Sequence, residues 1–90
     1  MLTLEPTAKF RKDYKLAKKR GLDMRLLETV IDTLLAEKQL DGKYRDHALT
    51  GNYEGFRECH IQPDWLFIYK TDGKRLVLVA ARTGSHSDLF

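Results

Sequence analysis

Three imidazoles, a carboxylate and a guanidinium fall in the second half of this 90-residue sequence: His47, His60, Asp64, Arg82 and His86. Histidine titrates nearest neutrality, so a chain that gathers its only three beside an acid and an arginine invites proton-transfer chemistry. Cutting an RNA strand without a metal needs a base for the 2′-hydroxyl proton and an acid for the departing 5′-oxygen. It also needs a cation for the charge that builds on phosphorus and a grip on the nucleobase. Imidazole and carboxylate can divide the first two roles when their environments separate their pKa values. Arg82 offers a planar, bidentate cation suited to phosphate, and Gly84 lets backbone approach a ligand closely. Trp65 or Phe90 could stack on an unpaired base, the usual way single-stranded RNA is held.

Each residue also has a plainer reading. A single histidine at a sheet end is more often structural than catalytic, Trp65 suits a core or edge, and Arg82 suits a surface ion pair. Cys59 reads as a small buried filler. His47, His60, His86 and Asp64 are metal ligands by type, but their spacing matches no standard motif. The expectation is acid/base chemistry with no metal and no cofactor.

Several elements must position these groups. Residues 1–5 alternate Leu2 and Leu4 with polar neighbours and stop at Pro6, a short strand. Thr7 can cap a helix over residues 8–20, in which Phe10, Tyr14 and Ala17 recur at helical spacing. Lys9, Arg11, Lys12, Lys15, Lys18, Lys19 and Arg20 fill the rest, with Asp13 the one acid against them. Such a face is either solvated surface or a polyphosphate-binding one. Gly21 ends this helix and Asp23 starts a second through about residue 38, with one broad apolar stripe from Leu26 to Leu35. The short link makes the two an antiparallel pair.

Residues 39–55, rich in glycine and without a period, read as a loop carrying His47. Residues 56–61 and 65–70 form a hairpin about Pro63-Asp64, Asp72-Gly73 turns the chain again, and residues 75–81 add a last strand. The expected class is α+β: a short N-terminal strand, an antiparallel helix pair, and a three-stranded antiparallel meander forming one sheet covered by the helices. Successive strands of a meander reverse, so the Pro63-Asp64 turn and the end of the last strand share one rim. That brings Asp64 and Trp65 towards Arg82 and His86.

Ninety residues suit a single domain, residues 1–90, and leave no room for a separate cofactor-binding unit. The net charge of +3 fits an anionic partner without demanding one. A lone cysteine excludes an internal disulfide and fits a reducing cytoplasm. No apolar run is long enough to span a bilayer and no signal-peptide pattern is present, so a soluble cytoplasmic chain without membrane contact is expected.

Four ordered motifs then stand out: D-H-x-L-x-G at residues 46–51, H-x-x-P-D-W at 60–65, I-Y-K at 68–70 and R-T-G-S-H-x-x-L-F at 82–90. With the K-D-x-K-L-A-x-K-R run at 12–20, they resemble the YafQ-type toxins of the RelE/ParE superfamily over essentially the whole chain. The resemblance implies a RelE-like fold and a bacterial type II toxin, an endoribonuclease that cuts mRNA in the ribosomal A site and is silenced by a cognate antitoxin. Carried over position by position, its active-site pattern falls on His47, His60, Asp64, Trp65, Arg82, His86 and Phe90. In family terms Asp64 and the histidines share proton transfer, with His86 as general acid, while Arg82 steadies the transition state and Phe90 contacts the base. One departure from the family is that Phe90 is the last residue, and a carboxylate is expected to lie near the phosphate path.

The resemblance also gives the basic helix a role. Lys9, Arg11, Lys12, Lys15, Lys18, Lys19 and Arg20 would dock on ribosomal RNA phosphates, positioning the toxin rather than choosing the codon. An acidic antitoxin segment that folds on the toxin would cover them. The competing implication is the ParE branch, whose members poison gyrase on the same scaffold without a ribonuclease site. Three titratable rings at one sheet end argue against it. A catalytically silent RNA-binding domain is the third reading.

Overall fold

In the computed structural model, which describes residues 1–90, the chain opens with β1 (Thr3–Pro6) and turns at Thr7. The Thr7 hydroxyl accepts the Phe10 N–H at 3.0 Å, capping α1 (Ala8–Lys19). The same hydroxyl donates to the Ala81 carbonyl at 2.8 Å, so the start of the helix is fastened to the far end of the chain. Gly21, at φ +82, ends the helix: Leu22 N–H reaches back to Ala17 O at 3.2 Å and Gly21 N–H to Lys18 O at 3.1 Å. Asp23 caps α2 (Met24–Leu35), accepting the Arg25 N–H at 3.1 Å. Tyr14 of α1 donates to Glu28 of α2 at 3.1 Å across the helix pair.

α2 stops three residues before the expected position. Glu37 takes up a left-handed conformation (φ +59), and Lys38 N–H closes on Thr33 O at 3.1 Å. The chain performs with a glutamate the turn that usually takes a glycine, so no sequence signal announces it.

The sheet comprises β1, β2 (His47–Ala48), β3 (Arg57–Gln62), β4 (Trp65–Asp72) and β5 (Val77–Gly84), in the order β1-β5-β4-β3-β2. β1 runs parallel to β5 and the other pairs are antiparallel. The α+β class and the meander stand as expected, but the stretch read as a loop contributes a fifth strand. Two residues are too few to show a period, and what makes them a strand is their pairing with Glu58 and Arg57. β5 begins later and runs further than residues 75–81, because the turn after Asp72 takes four residues and places Leu76 at φ +55. Asp72 holds that turn, accepting the N–H groups of Lys74 and Arg75 at 3.0 and 3.1 Å.

The helices cover one face of the sheet. Phe10 and Ala17 of α1 and Leu27, Val30, Ile31 and Leu34 of α2 pack on Cys59, Ile61, Trp65, Phe67, Tyr69, Leu78 and Ala80. Phe67 meets Phe10 edge-on at 5.8 Å and stacks on Tyr69 at 5.4 Å. Each such buried side chain contributes about 1.5–3 kcal/mol. The other face carries a smaller cluster of Leu66, Ile68, Ala81 and Leu89, partly covered by Leu49, Tyr53 and Phe56. No helix is long and apolar enough to cross a membrane.

Candidate active site

Strand register sets the first part of the site. His47 lies opposite Glu58, Glu58 opposite Ile68, and His60 opposite Leu66. Paired residues share a face, and Leu66 and Ile68 belong to the smaller cluster, so His47, Glu58 and His60 stand on the side away from the helices. The rings of His47 and His60 are 6.2 Å apart, and their Nε2 atoms lie 3.4 and 3.7 Å from the same Glu58 oxygen. Glu58 is 5% exposed, and its second oxygen, Oε2, has no hydrogen-bond partner. A buried acceptor left empty is costly and marks a place where a proton or ligand belongs.

Glu58 was missed among the candidates read from the sequence. Its signal was there: in R-E-C-H-I the alternation sets Glu58 and His60 on one face and Cys59 and Ile61 on the other.

The second part comes from α3 (His86–Leu89), a single helical turn held at both ends. Ser85 Oγ accepts the Asp88 N–H at 3.2 Å while Asp88 accepts the Ser85 N–H at 3.0 Å, a reciprocal cap. Arg20, at the end of α1, donates to Asp88 at 2.7 Å. The Arg20 contact, and then the Ser85 backbone, hold the Asp88 carboxyl well below the usual carboxylate range. At the other end Asp64 accepts the His86 backbone N–H at 2.9 Å and lies 2.7 Å from its Nδ1. The backbone contact first and the ring second keep the Asp64 carboxyl below its ordinary pKa.

The His86 ring is 5.8 Å from His60, which completes a row His47–His60–His86 across the sheet. Each ring is anchored through Nδ1 by an oxygen: Arg45 O at 2.8 Å for His47, Pro63 O at 3.3 Å for His60 and Asp64 Oδ1 for His86. A carbonyl can only accept, so Nδ1 carries the proton in the first two rings and Nε2 is the working nitrogen.

Arg82 shares a groove with Asp64 that none of the three imidazoles lines, and it is under different restraint. β4 and β5 shift register between Ile68 and Tyr69, with Tyr69 opposite Ala80 and Ile68 opposite Arg82, so Ala81 is an extra residue in β5. Asp13 receives Arg82 Nε at 2.7 Å, Nη2 at 3.0 Å and the Thr83 N–H at 3.2 Å. Asp13, then Tyr53, raises the Arg82 pKa further, so the guanidinium is permanently charged. Asp13, Asp64 and Arg82 line a groove of about 660 Å³ between α1 and the end of the sheet.

Trp65 requires a correction. The indole is 2% exposed on the helix side of β4 and donates to Thr83 Oγ1 at 2.9 Å, so it belongs to the core and cannot stack on a base. Phe90, 65% exposed and edge-on to Tyr53 at 5.8 Å, is free to do so. Burial pushes the Cys59 thiol up to about 12, which excludes it as a nucleophile. Along α1, Lys9, Arg11, Lys12, Lys15, Lys18 and Lys19 are exposed, whereas Arg20 is tied to Asp88.

The group able to hold a metal is His47, Glu58 and His60, whose ligand atoms lie within 4.8 Å of one another. Imidazole and carboxylate together suit zinc, copper or nickel. Asp64 and His86 pair with each other instead of joining that set.

Residues 2–90 match the family described as bacterial toxin of type II toxin-antitoxin system, YafQ. The chain is 40% identical over 88 residues to the mRNA interferase toxin YafQ of Escherichia coli K12, covering 97% of this chain and 94% of that protein. A metal-bound toxin from Helicobacter pylori superimposes with a TM-score of 0.94 at 46% identity over 100% of both chains. YafQ in the E. coli DinJ–YafQ complex does so at 0.91 and 37% identity, over 100% of this chain and 99% of that one. Fold, motif order and nearly full-length identity agree: the chain belongs to the YafQ family of toxins of bacterial type II toxin-antitoxin systems.

Proposed function

We propose that this toxin is an endoribonuclease that cuts mRNA in the ribosomal A site by metal-independent transesterification. The observation that carries the proposal is the row of three imidazoles, each anchored through Nδ1, with Glu58 between two of them and Asp64 behind the third. Two different proton environments lie a ring's width apart, as a reaction that removes one proton and delivers another requires.

In this mechanism the His47–Glu58–His60 cluster takes the proton from the ribose 2′-hydroxyl, whose oxygen attacks the adjacent phosphorus. The bond to the 5′-oxygen breaks, and His86 delivers its Nε2 proton to that oxygen while Asp64 stabilises the ring. The product is a 2′,3′-cyclic phosphate and a 5′-hydroxyl. Arg82, with two of its nitrogens fixed by Asp13, offers the remaining edge of its guanidinium to the charged phosphoryl oxygens. Phe90 stacks on the nucleobase. A metal held by His47, Glu58 and His60 would occupy the nitrogens that proton transfer uses, so metal binding and this chemistry are alternative uses of one cluster.

The exposed cations of α1 bind ribosomal RNA phosphates and position the toxin. The cognate antitoxin assembles on the toxin, as DinJ does in complex with E. coli YafQ, and its segment over the basic helix is acidic by charge complementarity. The test is to map the 5′ ends of cellular transcripts after brief induction. Cuts at a fixed codon position, in frame, with 5′-hydroxyl and cyclic phosphate ends are expected. Cuts indifferent to frame, 3′-hydroxyl ends, or broken DNA with intact mRNA would overturn the proposal.

A further inference from the structure

Five of the seven arginines lie within salt-bridge distance of a carboxylate; only Arg11, on the basic helix, and Arg45 do not. Arg45 is placed with some care. Asp41 caps the short 3-10 turn Gly42–Tyr44, accepting the Lys43 N–H at 3.0 Å, and Arg45 follows in the left-handed conformation at φ +52. Glu37 and Leu76 take the same conformation at other turns, so what sets Arg45 apart is its unpaired charge. Its carbonyl anchors His47 Nδ1 at 2.8 Å. The adjacent acid does not neutralise it, because Asp46 is taken by Arg57 and by the Tyr69 hydroxyl.

Arg45 and Lys43 line a groove of about 360 Å³ whose wall includes His60 and Tyr44. This groove runs from the residues before β2 past His60 to Leu26 of α2, whereas Phe90 packs on Tyr53, outside its lining. A guanidinium and an ammonium left without carboxylates, beside the proton-accepting cluster, suit a phosphodiester oxygen.

We propose that Arg45, with Lys43, forms a phosphate subsite for the mRNA segment adjoining the scissile linkage, in a groove separate from the Phe90 contact. The inference rests on the ribonuclease reading above and adds to it the path of the strand. Arg45 positions substrate and takes no part in proton transfer.

The experiment is steady-state cleavage of mRNA on programmed ribosomes at several salt concentrations, with antitoxin affinity measured in parallel. Asn accepts the left-handed conformation, so Arg45→Asn removes the charge without disturbing the turn. It is expected to raise KM roughly tenfold, leave kcat within about twofold and make the salt dependence shallower by about one phosphate contact. Adding Lys43→Ala raises KM further, and Arg45→Lys keeps most of the affinity. Wild-type KM and salt slope in Arg45→Asn would overturn the subsite. So would a fall in kcat alone, which would make Arg45 a prop for His47, or a loss confined to antitoxin binding. Failure of the wild-type chain to cut ribosome-bound mRNA would instead sink the functional reading itself.

Discussion

The two faces of β4 serve opposite ends. On the helix side Trp65, Phe67 and Tyr69 are sealed under α1 and α2, each at most 2% exposed. On the other side Leu66 and Ile68 form a thin apolar floor on which His60, Glu58 and His47 stand. Large side chains under two helices supply the stability of the domain. The opposite face is covered only by a few loop side chains and one helical turn, which leaves His47 and His86 about half exposed. One strand therefore separates the residues that keep the chain folded from those proposed to give it an activity.

The largest expected effects test that separation directly. His86→Ala is expected to lower cleavage of ribosome-bound mRNA by about 10²–10⁴-fold, the usual share of a positioned proton donor, with an unchanged melting temperature. Trp65→Ala should do the reverse: about 3–5 kcal/mol of stability lost in a denaturant titration, with the rate per folded molecule preserved. Matching losses of rate and stability in both variants would abolish the distinction.

A smaller effect is expected where the two sides meet, at Asp13. Asp13→Asn keeps the shape of the anchor and removes its charge, so Arg82 is held less firmly. The expected outcome is a fall of about tenfold in kcat, comparable with one misplaced charged hydrogen bond. Single-turnover kinetics would check it, and an unchanged rate would show that Arg82 needs no anchor.

The smallest effect concerns pH. Asp64 and Asp88 both titrate lower in the folded chain than the usual value of about 3.9. A depressed carboxylate contributes stability that is full above its unfolded pKa and fades as pH falls through the folded one. α3 should therefore stay docked through mild acid and loosen only below the ordinary carboxylate range. Hydrogen exchange at residues 86–89, followed downwards from neutral pH, would register it; release of the turn near pH 6 would contradict the pairing.

Much of this arrangement was legible beforehand, and the gaps have physical causes. The turns at Pro63-Asp64 and Asp72-Gly73 announce themselves chemically, and reversal of successive strands then forces Asp64 towards His86, where the two meet at 2.7 Å. Trp65 was misjudged because W-L-F-I-Y is apolar at every position, so alternation could not tell which set faces the helices. The pairing of Asp13 with Arg82 spans 69 residues of sequence, and the one acid in a basic helix gives no hint of its partner. Membership of β2 by His47 rests on pairing alone.

α3 is one turn long, and a helix that short has no stability of its own. Its order is borrowed from Arg20 on one side, Asp64 on the other and the burial of Leu89 against Leu66, Ile68 and Ala81. Losing either polar tether would leave the rest of the protein assembled but its proposed proton donor, His86, adrift. The lineage of such a chain thus has a short road to harmlessness: a surface substitution far from the rings can disarm the molecule without marking it for disposal as misfolded.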